Sequence, residues 1–197
     1  MSMYSPELTL RDARTLYFKL NNFGDDGGYN DRWVKTKLGP FPYWIPNTKG
    51  RKEAVKYHDL HHILTGYATT WRGEFEIGAW EVSTGLGRQT AGKILDLVSF
   101  AAGLAVNPSE VYRAFLRGRQ SSNLFTRVWG EELLERRVGE VRRELSLDKA
   151  TKPATLADKV SFVLWAAVAV ATYLAVAAVM LSPLVVPALA ILWLKGA

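Results

Sequence analysis

An all-α fold, a helical metal-binding domain followed by a C-terminal transmembrane segment, is the class this sequence predicts. Three observations predict it. Apolar residues recur at helical spacing through most of the first 150 positions. No stretch alternates apolar and polar residues over the length of a strand. The 35 residues from Val160 to Leu194 carry no charge and no histidine. A crossing needs ~20 apolar residues, so this run suffices for one span and most of a second. A helix apolar all round would otherwise need a core larger than 197 residues can build. The expected division is a helical domain over 1–150, a linker over 151–159 and a membrane anchor over 160–194. Pro183 and Pro187 fall where a first span should end, so the anchor is read as one crossing or a tight hairpin.

The elements follow in order. SPELTLRDARTLYFKLNN reads as a first helix, with Ser5 as its N-cap and Pro6 at its first position. Leu10, Ala13, Tyr17 and Leu20 form its buried face. FGDDGGYND breaks the pattern as a polar turn, because Asp25, Asp26 and Asp31 lack the spacing of a calcium loop. KLGPFPYWIPNTK holds Pro40, Pro42 and Pro46 and reads as an ordered connector, with Phe41, Tyr43, Trp44 and Ile45 packed on the domain. Helical patterns resume from Lys52 to about Thr65, ended by Gly66, and from Arg72 to Ser83, burying Phe75, Ile77 and Trp80. GKILDLVSFAAGLAVNP is a strongly apolar helix, and SEVYRAFLRGRQS another. EELLERRVGEVRREL is a last helix with Leu134, Val138, Val141 and Leu145 on one stripe.

The formal charge is +6. A basic chain meets nucleic acid or an anionic membrane surface. Aromatic residues do not interleave with the basic runs and no nucleotide-binding loop is present, so nucleic acid is not an expected partner. The N-terminal segment MSMYSPELTLRDARTLYF is charged where a signal peptide has its apolar core. Arg136, Arg137, Arg142, Arg143, Lys149, Lys152 and Lys159 precede the apolar run and only Lys195 follows it. The excess of positive charge places the main domain on the cytoplasmic side of the membrane.

All three histidines, His58, His61 and His62, lie within KYHDLHHILTGYATTWRGE. His58 and His62 are four apart, which on a helix places both imidazoles on one face, where they can grip one metal. Asp59 can coordinate beside them or orient His58, and Glu74 returns after a glycine-ended turn. His61 points elsewhere on the helical wheel. With no cysteine in the chain, a metal must be held by imidazole, carboxylate and water, which favours zinc, iron or manganese. Asp59 stands where a zinc peptidase has its glutamate base, which disfavours that chemistry. Trp71, Arg72 and Arg88 are candidates for holding an anionic head group. Ile94, Leu97, Val98, Ala101 and Leu104 either line a groove for a prenyl chain or form ordinary core.

The pattern H-D-x-x-H, eleven residues, then E runs through His58, Asp59, His62 and Glu74. It resembles the metal motif of the Coq-four family of ubiquinone (coenzyme Q) biosynthesis proteins. PNTKGRK, HDLHHILTGY and RGEFEIGAWE are also similar to that family's central region, so the resemblance covers about residues 33 to 120. It implies an all-helical fold, a zinc-type divalent ion on His58, Asp59, His62 and Glu74, and binding of a long isoprenoid quinone precursor. It further implies replacement of the ring carboxylate by hydroxyl, with Glu74 and His58 carrying the chemistry. The alternative is a non-catalytic, lipid-binding scaffold that gathers other quinone-biosynthesis enzymes at the membrane. The uncharged tail departs from the family pattern, whose members usually sit on membranes peripherally.

Overall fold

The computed structural model describes residues 3–38, 41–88 and 90–196, with backbone alone for 36–38, 41–43 and 183–196. Its helices are α1 (Leu10–Asn21), α2 (Lys49–Thr65), α3 (Trp71–Thr84), α4 (Thr90–Val106), α5 (Pro108–Arg119), α6 (Glu131–Leu134), α7 (Val138–Glu144) and α8 (Leu156–Gly196). Between α1 and α2 stands an antiparallel hairpin, β1 (Trp33–Leu38) and β2 (Phe41–Pro46), paired from Trp33↔Pro46 to Leu38↔Phe41.

The chain is mostly helical, as expected, and the hairpin amends the all-α expectation at this one place among the described residues. Prolines argue against a central strand, but each strand of a two-stranded ribbon is an edge and has one side free of the ladder. Trp44 does not pack on the domain as expected. It is 57% exposed, with the Lys35 ammonium over its ring at 5.5 Å. Pro40 lies outside the described residues, and so do the side chains of Phe41 and Tyr43. Asn47 fastens the base of the hairpin by donating to the carbonyls of Gly28 and Asp31. The acidic turn is a turn, as read: Asp26 accepts from the amides of Gly28 and Asn30.

One backbone exchange explains two further corrections. The Leu10 amide donates to the Arg136 carbonyl, Val138 to Leu8, and Gly139 to Pro6. A single antiparallel bridge, Thr9↔Arg137, therefore joins the start of α1 to the junction of α6 and α7. As a result α1 starts at Leu10 with Thr9 as its N-cap, not at Ser5, and the last expected helix is divided into α6 and α7. The stripe survives the division, since Leu134, Val138, Val141 and Leu145 are all buried. Leu20 is exposed instead of joining the buried face of α1.

α3 is the centre of the core, with Ile77, Ala79 and Trp80 fully buried. Its neighbours come close because small residues let them. A Cβ on Gly118 of α5 would lie 2.7 Å from the Trp80 carbonyl, and one on Gly78 would lie 3.1 Å from the Asp96 carbonyl of α4. Leu97 and Ala101 are buried in this core, whereas Ile94 is 39% exposed, so the α4 residues do not form one continuous groove.

α8 opens with a capping box: Thr155 and Asp158 each accept from the other's backbone amide. Its stretch Leu156–Ser182 is long and apolar enough to cross a membrane, and only 6% of its most apolar window is buried. The helix continues past Pro183 and Pro187 to Gly196 without the reversal a hairpin needs. Its first turns dock on the domain. The Phe162 ring lies 5.8 Å from Phe100, 5.3 Å from Phe115 and 4.8 Å from Tyr112, Ala169 is fully buried, and Asp158 pairs with Arg119.

Candidate metal centre

The site is set by the turn between α2 and α3. Gly66 takes the left-handed conformation that ends α2, and Thr70 caps the first amides of α3 four residues later. Arg117 and Arg142 donate to the carbonyls of Thr65 and Leu64, which holds the end of α2 in place. The two helices then run side by side, and the first turn of α3 brings Glu74 back to the histidines.

His58 Nε2 lies 3.1 Å from His62 Nε2 and 3.3 Å from Glu74 Oε2, and His62 Nε2 lies 3.3 Å from Glu74 Oε1. His62 Nδ1 faces the Tyr67 carbonyl at 2.9 Å, an acceptor only, so that nitrogen carries the proton. His58 Nδ1 faces the Glu81 carboxylate at 3.0 Å and donates to it. Both Nε2 atoms therefore face the Glu74 carboxylate, His58 toward Oε2 and His62 toward Oε1. Ligands ~2.05 Å from a tetrahedral ion stand ~3.3 Å apart, close to the 3.1 Å between the two Nε2 atoms and to the 3.3 Å from each to its nearer Glu74 oxygen.

The remaining expected residues divide cleanly. His61 is not in the group, as anticipated: its Nε2 accepts from the Leu124 amide and its Nδ1 donates to Glu81 at 2.5 Å. Asp59 does not join it either. Its two carboxylate oxygens accept from Tyr17 (3.3 Å) and Tyr29 (2.7 Å), on the α1 side of α2. Trp71 stands exposed one turn before Glu74, and Arg72 and Arg88 are exposed and form no ion pair among the described residues.

Two acids that the motif does not name lie beside His58. Glu81 is fully buried and Asp96 nearly so, and their oxygens and a His58 nitrogen fall within 4.8 Å of one another. Asp96, Glu81 and His58 line a small cavity of about 60 Å³ with Arg51 and Leu95. The sequence did carry a signal for Glu81. It lies seven residues after Glu74, two helical turns on, and so on the same face of α3.

The charges are interdependent. Burial alone would lower His58, but the Glu81 charge and the hydrogen bonds to Glu74 and Glu81 hold it well above its usual value. Burial would raise Glu74, and the two imidazoles override it, keeping Glu74 strongly acidic. Burial lowers His61, which stays neutral. Asp96 is pushed well up by burial and by the neighbouring Glu81 charge, while His58 keeps Glu81 ionised against its own burial.

A comparison with curated proteins adds a relative. The mitochondrial ubiquinone biosynthesis protein coq4 of Talaromyces stipitatus is 33% identical to this chain over 98 residues. This chain is related to the Coq4 family. The match covers 46% of this chain and 32% of that relative, so it spans about a third of the fungal protein's length. No family model matches the chain, and no solved structure matches it.

Proposed function

We propose that this chain is a membrane-anchored metalloprotein of ubiquinone biosynthesis, with a divalent ion held by His58, His62 and Glu74. The observation that carries the reading is the convergence of two Nε2 atoms and the two oxygens of one carboxylate at separations of 3.1 to 3.3 Å. The relationship to Coq4 supports the pathway, and the donor set suits zinc first, with iron or manganese as alternatives. Asp59 is left out of the ligand set because its oxygens are engaged by Tyr17 and Tyr29.

The reaction we assign is oxidative decarboxylation of a prenylated ring acid. The bond from ring to carboxyl breaks with loss of carbon dioxide, a ring C–O bond forms to the oxygen of water, and dioxygen takes up the two electrons and two protons as hydrogen peroxide. Acid, dioxygen and water giving phenol, carbon dioxide and hydrogen peroxide balances without a further electron donor. A divalent ion at the site supplies Lewis-acid stabilisation of negative charge on the ring carboxylate or phenolate. The chain's own residues have separate tasks. His58 and His62 present fixed acceptor nitrogens. Glu74, 37% exposed in its side chain, forms the open wall where a ligand arrives and keeps a negative charge there. α8 anchors the domain on the cytoplasmic side, beside other quinone-biosynthesis enzymes.

A lipid-binding scaffold is the second reading, and one observation favours it: the cavity beside His58 is about 60 Å³, whereas ligand pockets usually run ~300 Å³ or more. Glu74→Gln separates the two. It keeps size and removes charge. A catalyst carrying this change loses quinone production while its membrane abundance and partner association persist, and the carboxylated, prenylated precursor accumulates. Lipid analysis of cells lacking the native gene reads this out. Full quinone production by the variant favours the scaffold, and no quinone defect on deletion removes the pathway assignment.

A further inference from the structure

Nothing in the motif assigns a role to Glu81, yet it is the most enclosed carboxylate in the domain, with a fully buried side chain. It lies on α3 between two imidazoles of α2. Oε2 accepts from His58 Nδ1 at 3.0 Å and Oε1 from His61 Nδ1 at 2.5 Å. We propose that Glu81 is the positioning residue of the centre, a single carboxylate that sets the ring orientation and tautomer of His58 and ties that ring, through His61, to the loop at Leu124.

The argument rests on donor and acceptor chemistry. A neutral imidazole has one N–H and one lone pair, and the partner of one nitrogen decides the state of the other. With Nδ1–H committed to Glu81, Nε2 is the nitrogen that His58 turns toward His62 and Glu74. His61 is committed the same way, and its Nε2 accepts the Leu124 amide at 3.0 Å. That contact fixes the segment whose Phe125 lines the cavity beside His58. Only a carboxylate accepts from both rings. An amide in its place offers one acceptor and one donor, so one of the two rings must turn or change tautomer. Carboxylate partners of this kind orient metal-bound histidines and raise their basicity, and losing one costs ~10–100-fold in metal affinity.

The inference rests on the metal reading above, and the experiment separates the two. Full-length protein in detergent, with 15N-labelled histidine, has three imidazoles to assign. The expectation for wild type, with or without zinc, is a protonated Nδ1 at His58. Glu81→Gln should weaken zinc and cobalt binding by ~10–100-fold and move the visible bands of the cobalt-loaded protein. His61→Gln, which releases Glu81 from its second ring, should lower the melting temperature and leave metal affinity within ~3-fold of wild type. Matched melting losses in both variants with unchanged affinity and spectra would reduce Glu81 to a packing residue. Should wild type take up neither metal, the metal reading fails, and the His58 tautomer decides the inference by itself. A His58 ring protonated only at Nε2 in metal-free wild type overturns it.

Discussion

Glu81 and Asp59 are both buried carboxylates against α2, and each accepts two hydrogen bonds from ring side chains. Their surroundings otherwise differ. Glu81 meets two imidazoles, keeps its charge and faces the centre. Asp59 meets two phenols on the opposite side, where burial pushes its carboxyl up while Tyr29 and Tyr17 hold it partly down. Asp59 adjoins His58 in sequence, and Glu81 is 23 positions away. Successive residues on a helix point ~100° apart, so chain proximity puts Asp59 on the wrong side and tertiary packing puts Glu81 on the right one. The difference also shows how His62 is supported: the Tyr17 ring stacks on it at 5.9 Å, so the Asp59 cluster reaches the centre through an aromatic face, not through a ligand atom.

The sharpest way to break this comparison is metal content. His62→Ala and Glu74→Ala should each reduce the ion from about one per chain to none, while Asp59→Asn keeps it, as ligand loss removes a bond and Asp59 supplies none. Elemental analysis of freshly purified protein decides; loss of the ion in Asp59→Asn would restore it to the ligand set. Next in size is stability. Asp59→Asn should lower unfolding free energy by about 1–3 kcal/mol, the cost of disturbing a buried acceptor with two partners, measured by denaturant titration in detergent.

Acidity gives a third handle. The folded value of His58 is raised above 6.5, so its contribution to stability is complete below that value and fades as pH rises through the folded one. Glu74 is lowered from 4.5, so its contribution is present above 4.5 and is lost only on stronger acidification. Zinc replaces the extra proton on His58. The gain in melting temperature from zinc should therefore be larger at pH 8 than at pH 6, and an equal or smaller gain would count against the ligand role of His58. Smallest is Tyr29→Phe, which removes one donor to Asp59 and should cost about 1 kcal/mol without altering metal content.

Much of this was legible before any coordinates. The i, i+4 pair of His58 and His62 and the return of Glu74 needed only helical geometry and a glycine-ended turn, and both turned out as read. α2, α3, α4 and α5 were visible from periodicity and caps. What was not legible came from backbone pairing that side-chain patterns do not report. The hairpin depends on a ladder between neighbouring strands that prolines disguise. The division of α6 from α7 depends on the N-terminal segment donating to residue 136. Asp96 shares the apolar helix α4 with one other charge, Lys93, and nothing in the sequence aims it at His58.

The docking of α8 has a mechanical consequence. α4 touches α8 through Phe100 on Phe162, and the same helix carries Asp96 beside His58 and Ser99, whose hydroxyl donates to the Glu74 carbonyl. Packed helices stand ~8–10 Å axis to axis. A tail joined by loose chain would be a leash, letting the domain swing through the water above the lipid. This tail is a mast stepped into the hull. With α8 in a bilayer, as proposed above, any tilt of that helix would pass to the histidines with one helix between, and the centre would keep a fixed height and heading over the lipid. Under the reading proposed above, a prenylated reactant would reach the centre by sliding sideways through the leaflet.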